Sequence, residues 1–451
     1  MNRSRARNTL IFPLLFATAA AAATPDAATV KIDEYVNAFA RQDQFMGAVL
    51  VAKGGQMVFS KGYGMADREF DVPNSPDTKF RLGSLTKQFT AVAILQLQQH
   101  GKLSVDDHIS KYIPESPAAW KDITIQELLS HTSGLPNFTS FPDYKEKERL
   151  PATPLSLIQR FLKKPLDFSP GAKFSYSNSG YIVLGYIIEK ASGLSYEAYL
   201  KRNIFDPLDL QSTGYDHAAT VLKRRASGYV ARAARIENAD YIDMSVPFAA
   251  GALYSTVNDL FRWDRALSTE KVLPKAALEK MFTPSQGNYG DGWFITRLFD
   301  RKVFTHSGGI NGFASYIARY PDDDACVIVL ANLQTAPSER IGKGLAAILF
   351  GQPYDIPKVH TAIEVPPSVL AGYAGGYKLG ALEITVTNQD GRLFWEPKGQ
   401  DKVELFPETE AKFFMKVTDA EVIFVKATEK RPATMILHQN GRDIRLRRVT
   451  E

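Results

Sequence analysis

From Ser84 to His100 the chain runs without a proline or a glycine, and Phe89, Val92, Ala93, Leu95 and Leu97 follow a period that suits a largely buried helix ending at Gly101. The first turn of this helix carries Ser84-Leu85-Thr86-Lys87. Residues three apart on a helix share a face, so this spacing sets a hydroxyl beside an amine able to take its proton. A serine is a poor nucleophile until a neighbouring base activates it. A Ser-x-x-Lys match arises by chance in most chains of 451 residues, so its meaning depends on its setting.

Around this helix the pattern alternates between element types. Val30 to Arg41 has helical spacing, and Gly47 to Ala52 and Met57 to Ser60 form a hairpin about Gly54-Gly55. Thr124 and Glu127 make a capping box for a short helix that ends in the loop beginning at His131. Gly180 to Ala191 and Val257 to Leu267 are further helices, separated by a less regular stretch to about Asp240. Val303 to His306, Ala314 to Tyr320 and Cys326 to Ala331 read as consecutive antiparallel strands, and a last helix reaches Leu349. Strands near both ends with helices between predict an α+β sandwich whose terminal elements share one sheet. Pro353, Pro357, Pro366 and Pro367 mark a linker over 353–366. Beyond it, over 367–451, six short strand signals and the turns Asp390-Gly391 and Asn440-Gly441 predict a small closed or nearly closed antiparallel barrel.

Arg3, Arg5 and Arg7 precede an apolar run from Leu10 to Phe16 and an alanine-rich stretch to Ala23, with no acid before Asp26. This predicts a secretory signal over 1–23, cut near Ala23, and a periplasmic or secreted protein. The run is shorter than the roughly 20 residues of a spanning helix, so no stable membrane anchor is expected after cleavage. Removal of three arginines lowers the formal charge from +5 to +2 (5 − 3), which argues against a nucleic-acid surface. Cys326 is the one cysteine, so no internal disulfide forms, and its apolar neighbours suit a buried strand position. With no His-Glu-x-x-His, Cys-x-x-Cys, EF-hand or phosphate-loop pattern, neither a metal nor a cofactor is implied. Oligomeric state is not legible here.

Two further motifs follow the first in chain order: Tyr176-Ser177-Asn178 in a loop before a helix, and His306-Ser307-Gly308-Gly309 at the end of a strand. In isolation each has a plainer reading: Ser84 as an N-cap, Lys87 on the surface, Tyr176 and Asn178 in a turn, His306 paired across a sheet. His131 is read as a helix-end residue satisfying a carbonyl. Together the three motifs supply what acyl transfer needs. Ser84 is the nucleophile at a helix N-terminus, and Lys87 is a partly desolvated amine. Tyr176 can shuttle a proton, and the Asn178 amide can hold both Lys87 and a substrate carbonyl. Gly308 and Gly309 leave a strand edge bare, with N–H groups that can complete an oxyanion hole.

The set Ser84-x-x-Lys87, Tyr176-x-Asn178 and His306-x-Gly308 resembles the three motifs of class C β-lactamases and the related D-alanyl-D-alanine carboxypeptidases and esterases. Phe80-Arg81-Leu82-Gly83, Glu127 to Leu135 and Gly251 to Thr256 extend the likeness, which covers about residues 30 to 350. The resemblance implies a sandwich with an all-helical insert, within a hydrolase domain over 24–352. It implies an acyl-enzyme on Ser84, Lys87 and Tyr176 as base and acid in an order left open, and an oxyanion hole from the N–H groups of Ser84 and Gly309. The tail resembles the lipocalin-like barrel of some members. Where class C β-lactamases carry Lys-Thr-Gly this chain has His306-Ser307-Gly308, so a titratable imidazole stands in place of a permanent cation that binds a β-lactam carboxylate. The expectation is therefore an exported serine hydrolase of a small-molecule or peptide substrate. Its bond would be a peptide of D-amino-acid or D-Ala-D-Ala type, an amide or an ester. A β-lactamase and a non-catalytic penicillin-binding sensor are the alternatives.

Overall fold

The computed structural model describes residues 27–232, 235–358, 360–380, 382–399, 402–415, 420–428, 433–439 and 442–449. The signal over 1–23 and the Asn440-Gly441 turn lie outside the described residues.

The central element is a six-stranded antiparallel sheet, in the order Phe294–Leu298, Arg301–Ile310, Phe313–Tyr320, Ala325–Ala331, Gly47–Lys53 and Gln56–Tyr63. The two ends of the domain meet where Gly47 pairs with Ala331 and Ala52 with Cys326. Every residue of Ala325–Ala331 is buried, as a continuous apolar run in mid-sheet requires. Strand alternation then sorts these side chains between two cores. Ala48, Leu50, Ala52, Cys326, Ile328 and Leu330 enter one core, which also takes the long helices and their insert. Val49, Val51, Val327, Val329 and Ala331 enter the other, under the helices Ala27–Ala40 and Ser338–Leu349.

The helix Thr86–Gln99 lies deep in the first core and is buried on every side from Thr86 to Leu97. Its start is a single tight turn, Gly83–Leu85. The helix Asn178–Ser192 packs beside it and ends at Gly193 in the left-handed conformation. The capping box of Thr124 and Glu127 opens Ile125–Leu129 as the sequence predicts. The less regular stretch also carries short strands: Gly214–Tyr215 and Phe80–Arg81 flank Leu253–Ser255, and Tyr229–Arg232 pairs with Arg235–Asn238.

The C-terminal segment closes into an eight-stranded antiparallel barrel, in which Gly376 of the first strand pairs with Val449 of the last. Six of its strands fall on the predicted segments. Gly375–Leu379 and Val403–Pro407 are additional. Tyr377, Ile384, Val386, Leu393, Trp395, Val422, Met435 and Leu446 fill its interior. Among the described residues, no helix is long and apolar enough to cross a membrane.

Candidate active site

Gly83 adopts a φ of +53°, which glycine reaches without the Cβ penalty. A Cβ there would also lie 2.9 Å from the Gly309 nitrogen. The missing side chain therefore lets the turn that carries Ser84 touch the strand that carries Gly309. Ser84 follows at the lip of the core, and three residues on Lys87 enters it fully buried.

Lys87 Nζ lies 3.1 Å from Ser84 Oγ, 2.9 Å from Asn178 Oδ1 and 2.9 Å from the Ala250 carbonyl oxygen. Burial pushes the pKa of this amine well below the ordinary lysine value. The Asn178 and Ala250 oxygens can only accept, so Lys87 donates to both, and its third neighbour is the Ser84 hydroxyl. Asn178 is fixed in turn: its N–H donates to Asn137 Oδ1 at 3.0 Å and its side-chain amide to Thr139 Oγ1 at 3.2 Å.

The Tyr176 ring centroid lies 4.9 Å from Lys87 Nζ, and its phenol faces Ser84. Burial raises the phenol above its ordinary pKa, with the Ser84 hydroxyl opposing, so it stays protonated at neutral pH. Ser84, Lys87, Tyr176 and Asn178 are thus brought together from two helix starts and the loop before the second.

The third motif divides. The strand Arg301–Ile310 outruns its neighbour, since Phe294 pairs with Thr305 and His306 to Ile310 continue beyond it. Those residues keep their other partner, with Gly308 opposite Ser315 and Gly309 opposite Ala314. A Cβ on Gly308 would fall 2.1 Å from the Leu82 oxygen and 3.1 Å from the Ser84 nitrogen, whereas one on Gly309 would meet no atom within 4 Å. Gly309 fits the expected bare edge; the space at Gly308 is used by the protein itself.

His306 departs from its expected role. It is 2 % exposed, with Nδ1 2.6 Å from the Ser307 carbonyl oxygen and Nε2 3.1 Å from the Tyr289 hydroxyl. A carbonyl can only accept, so the ring proton sits on Nδ1 and Nε2 accepts from Tyr289. Burial lowers its pKa to about 3. His306 is therefore a neutral packing residue beneath the site rather than a cation for a substrate carboxylate.

His131 does stand at the end of the helix Ile125–Leu129, where its N–H donates to the Leu128 carbonyl oxygen at 3.4 Å. Its side chain adds a further contact, as Nδ1 accepts the Ser177 N–H at 3.2 Å. Its ring lies 4.2 Å from that of Tyr176, and the residue has a φ of +58°. Burial holds it neutral, so it acts as a fixed wall that sets Tyr176 and Ser177. Tyr181 and Tyr289 complete this wall.

Above the serine opens a cleft of about 400 Å³, with Ser84, Asn178, Gly251 and Gly309 on its walls. Phe138, Tyr144, Lys145, Glu148 and Asn311 line it as well.

A partly exposed serine facing a buried amine, with a bare strand edge alongside, offers the parts that serine acyl transfer requires. Residues 32–351 match the beta-lactamase family model, and the chain belongs to that family of serine hydrolases. It is 32% identical to "Penicillin-binding protein 4*" of Bacillus subtilis (strain 168), over 88% of this chain and 94% of that protein. Among solved structures, the octameric penicillin-binding protein homologue from Pyrococcus abyssi aligns with a TM-score of 0.66 and 27% identity, over 92% of this chain and 99% of that one. A D-stereospecific amidohydrolase from Streptomyces sp. aligns with a TM-score of 0.63 and 28% identity, over 73% of this chain and all (100%) of that one.

Proposed function

We propose that this chain hydrolyses a peptide or amide of D-amino-acid type, or an ester, through an acyl-enzyme on Ser84. The observation that carries the reading is Lys87, fully buried, with Nζ 3.1 Å from Ser84 Oγ and its pKa pushed well below the ordinary lysine value by burial. Lys87 is the general base: it takes the serine proton as Oγ attacks the carbonyl carbon. The N–H groups of Ser84 and Gly309 hold the oxyanion. Tyr176, protonated, passes a proton to the leaving amine or alkoxide, and water reverses these steps to free the acid. The neutral His306 speaks against efficient β-lactam turnover, since the third motif offers no cation for the β-lactam carboxylate. The relation to a D-stereospecific amidohydrolase supports the D-amino-acid type of substrate.

Ser84→Ala abolishes ester and amide turnover and labelling by a fluorophosphonate probe, with the fold retained. Labelling and turnover by that variant would remove Ser84 from the reaction. Export to the periplasm or the medium belongs to the same proposal, and N-terminal sequencing of the mature protein should begin near Thr24.

A further inference from the structure

The helix Thr86–Gln99, which carries Lys87, grips a neighbouring turn along its first two windings. That turn is the short helix Phe248–Gly251 and the residues just after it. Thr86 Oγ1 accepts the Leu253 N–H at 3.2 Å, Lys87 Nζ donates to the Ala250 carbonyl oxygen at 2.9 Å, and Thr90 Oγ1 donates to the Ala249 carbonyl oxygen at 2.7 Å. The last carbonyls of a helix have no partner within it. Here the Ala249 and Ala250 oxygens find theirs on the helix of the buried amine. Thr90 spends its proton on Ala249, so the Tyr196 phenol, 2.7 Å away, donates to Thr90.

The chain enters this turn through an outlier. Phe248 has a φ of +37°, a conformation that a bulky side chain adopts only with backbone strain. Its ring is buried, with its centroid 5.0 Å from that of Tyr196. A Cβ on Gly185, in the helix Asn178–Ser192, would lie 2.4 Å from Phe248 Cε1 and 2.4 Å from Ala249 Cβ. The ring therefore fills the notch that this glycine leaves. Phe248 also borders a cavity of about 400 Å³, with Tyr215, Met244 and Ser245 on its walls, which shares no lining residue with the Ser84 cleft. The cavity offers the ring no packing, so its contacts with Gly185 and Tyr196 hold the strained entry.

We propose that Phe248 is a positioning residue for Lys87: its ring, wedged against Gly185 and Tyr196, holds the strained turn so that the Ala250 carbonyl keeps Nζ beside Ser84 Oγ. This rests on the acyl-enzyme reading with Lys87 as base, and extends it to a residue that does not line the Ser84 cleft.

The test is turnover of p-nitrophenyl acetate by wild type, Phe248→Ala, Phe248→Tyr and Gly185→Ala, each well below its melting temperature. Phe248→Ala keeps the backbone strain and loses the wedge, so the turn relaxes and the Ala250 carbonyl leaves Lys87. Displacement of a reacting group by about 1 Å loses about a hundredfold, so kcat should fall at least about tenfold while KM stays within about threefold. Phe248→Tyr restores the ring and should recover most of that loss. Gly185→Ala keeps the ring but presses on it and on Ala249 from the other side. It should show the same loss in kcat, and it carries the test if Phe248→Ala does not fold. A purely structural role would lower the melting temperature and leave the kcat of the folded enzyme alone. A kcat within about threefold of wild type in Phe248→Ala, or a loss confined to KM, overturns the assignment. So does a Phe248→Tyr enzyme as impaired as Phe248→Ala. Turnover by Ser84→Ala or by Lys87→Met would instead defeat the acyl-enzyme reading, whatever the Phe248 variants do.

Discussion

Gly308→Ala isolates the close approach that joins the two halves of the site. The added Cβ would stand 2.1 Å from the Leu82 oxygen, 2.3 Å from Ser315 Oγ and 3.1 Å from the Ser84 nitrogen. Ordinary contact begins at 3.4 Å, so strand and turn must part by about 1.3 Å (3.4 − 2.1). The same movement strains the hydrogen bond from Ser315 Oγ to the Leu82 oxygen, now 2.7 Å. Overpacking of this kind costs about 1–3 kcal/mol of stability. Its effect on rate is larger. A reacting group displaced by about 1 Å loses about a hundredfold, and loss of one oxyanion donor costs about 100- to 1000-fold. Purified Gly308→Ala should therefore melt cooperatively at a lower temperature and show kcat/KM for a nitrophenyl ester reduced at least about a hundredfold. Gly309→Ala is the stability control: its Cβ meets no atom within 4 Å, so the fold should change by less than about 0.5 kcal/mol. A Gly308→Ala enzyme within about threefold of wild type would refute the contact as the device that aligns Ser84 with the strand.

Two further substitutions test the buried charges. Lys87→Met should lower kcat by at least about a hundredfold while the protein stays folded, because the base is lost and a buried amine is replaced by a side chain of similar reach; turnover within about tenfold of wild type would exclude Lys87 as the base. Asp291 is buried with Oδ1 bonded to Gln126 and Oδ2 without a donor, and burial raises its pKa to about 7. Its folded pKa exceeds its unfolded one, so the folded state binds more protons between about pH 4 and 7 and stability falls as pH rises through that window. Asp291→Asn should flatten this fall, which amounts to at most about 4 kcal/mol, in denaturant unfolding followed from pH 4 to 8; parallel curves for the two proteins would contradict the raised pKa.

What was legible in the sequence depended on how local the signal was. Ser84 and Lys87 are three apart on a helix, and helical geometry alone fixes their meeting. The strands Gly47–Lys53 and Ala325–Ala331 were legible because a buried strand needs an unbroken apolar run. The barrel strand Gly375–Leu379 was missed because Gly375-Gly376 weakens any strand signal, and Val403–Pro407 because it holds a proline and a glutamate. The aromatic wall was invisible for another reason. His131, Tyr176 and Tyr289 lie far apart in the chain, and no period connects them. The positive φ of His131 leaves no mark in a histidine. Sequence places His306 on a strand paired across the sheet, as found, but gives a residue type and not its depth. The same imidazole at the surface would titrate near neutrality, and here its partners and burial forbid it. Glu148 shows the converse, a buried acid hidden in a charged run.

The pairing of Gly47 with Ala331 bears on when this protein first becomes able to act. Closing a loop of roughly 280 residues costs about 5 kcal/mol of chain entropy, and little is recovered until the last strand docks. Ser84 belongs to the early part of that loop and Gly309 to the late part, and the turn before Ser84 touches the Gly309 strand only once it is shut. A chain that has emerged past Lys87 but not past its final strands therefore carries the serine and the lysine without the strand edge beside them. On the proposed reaction its chemistry is silent until the domain is whole, and catalytic competence then reports completed folding.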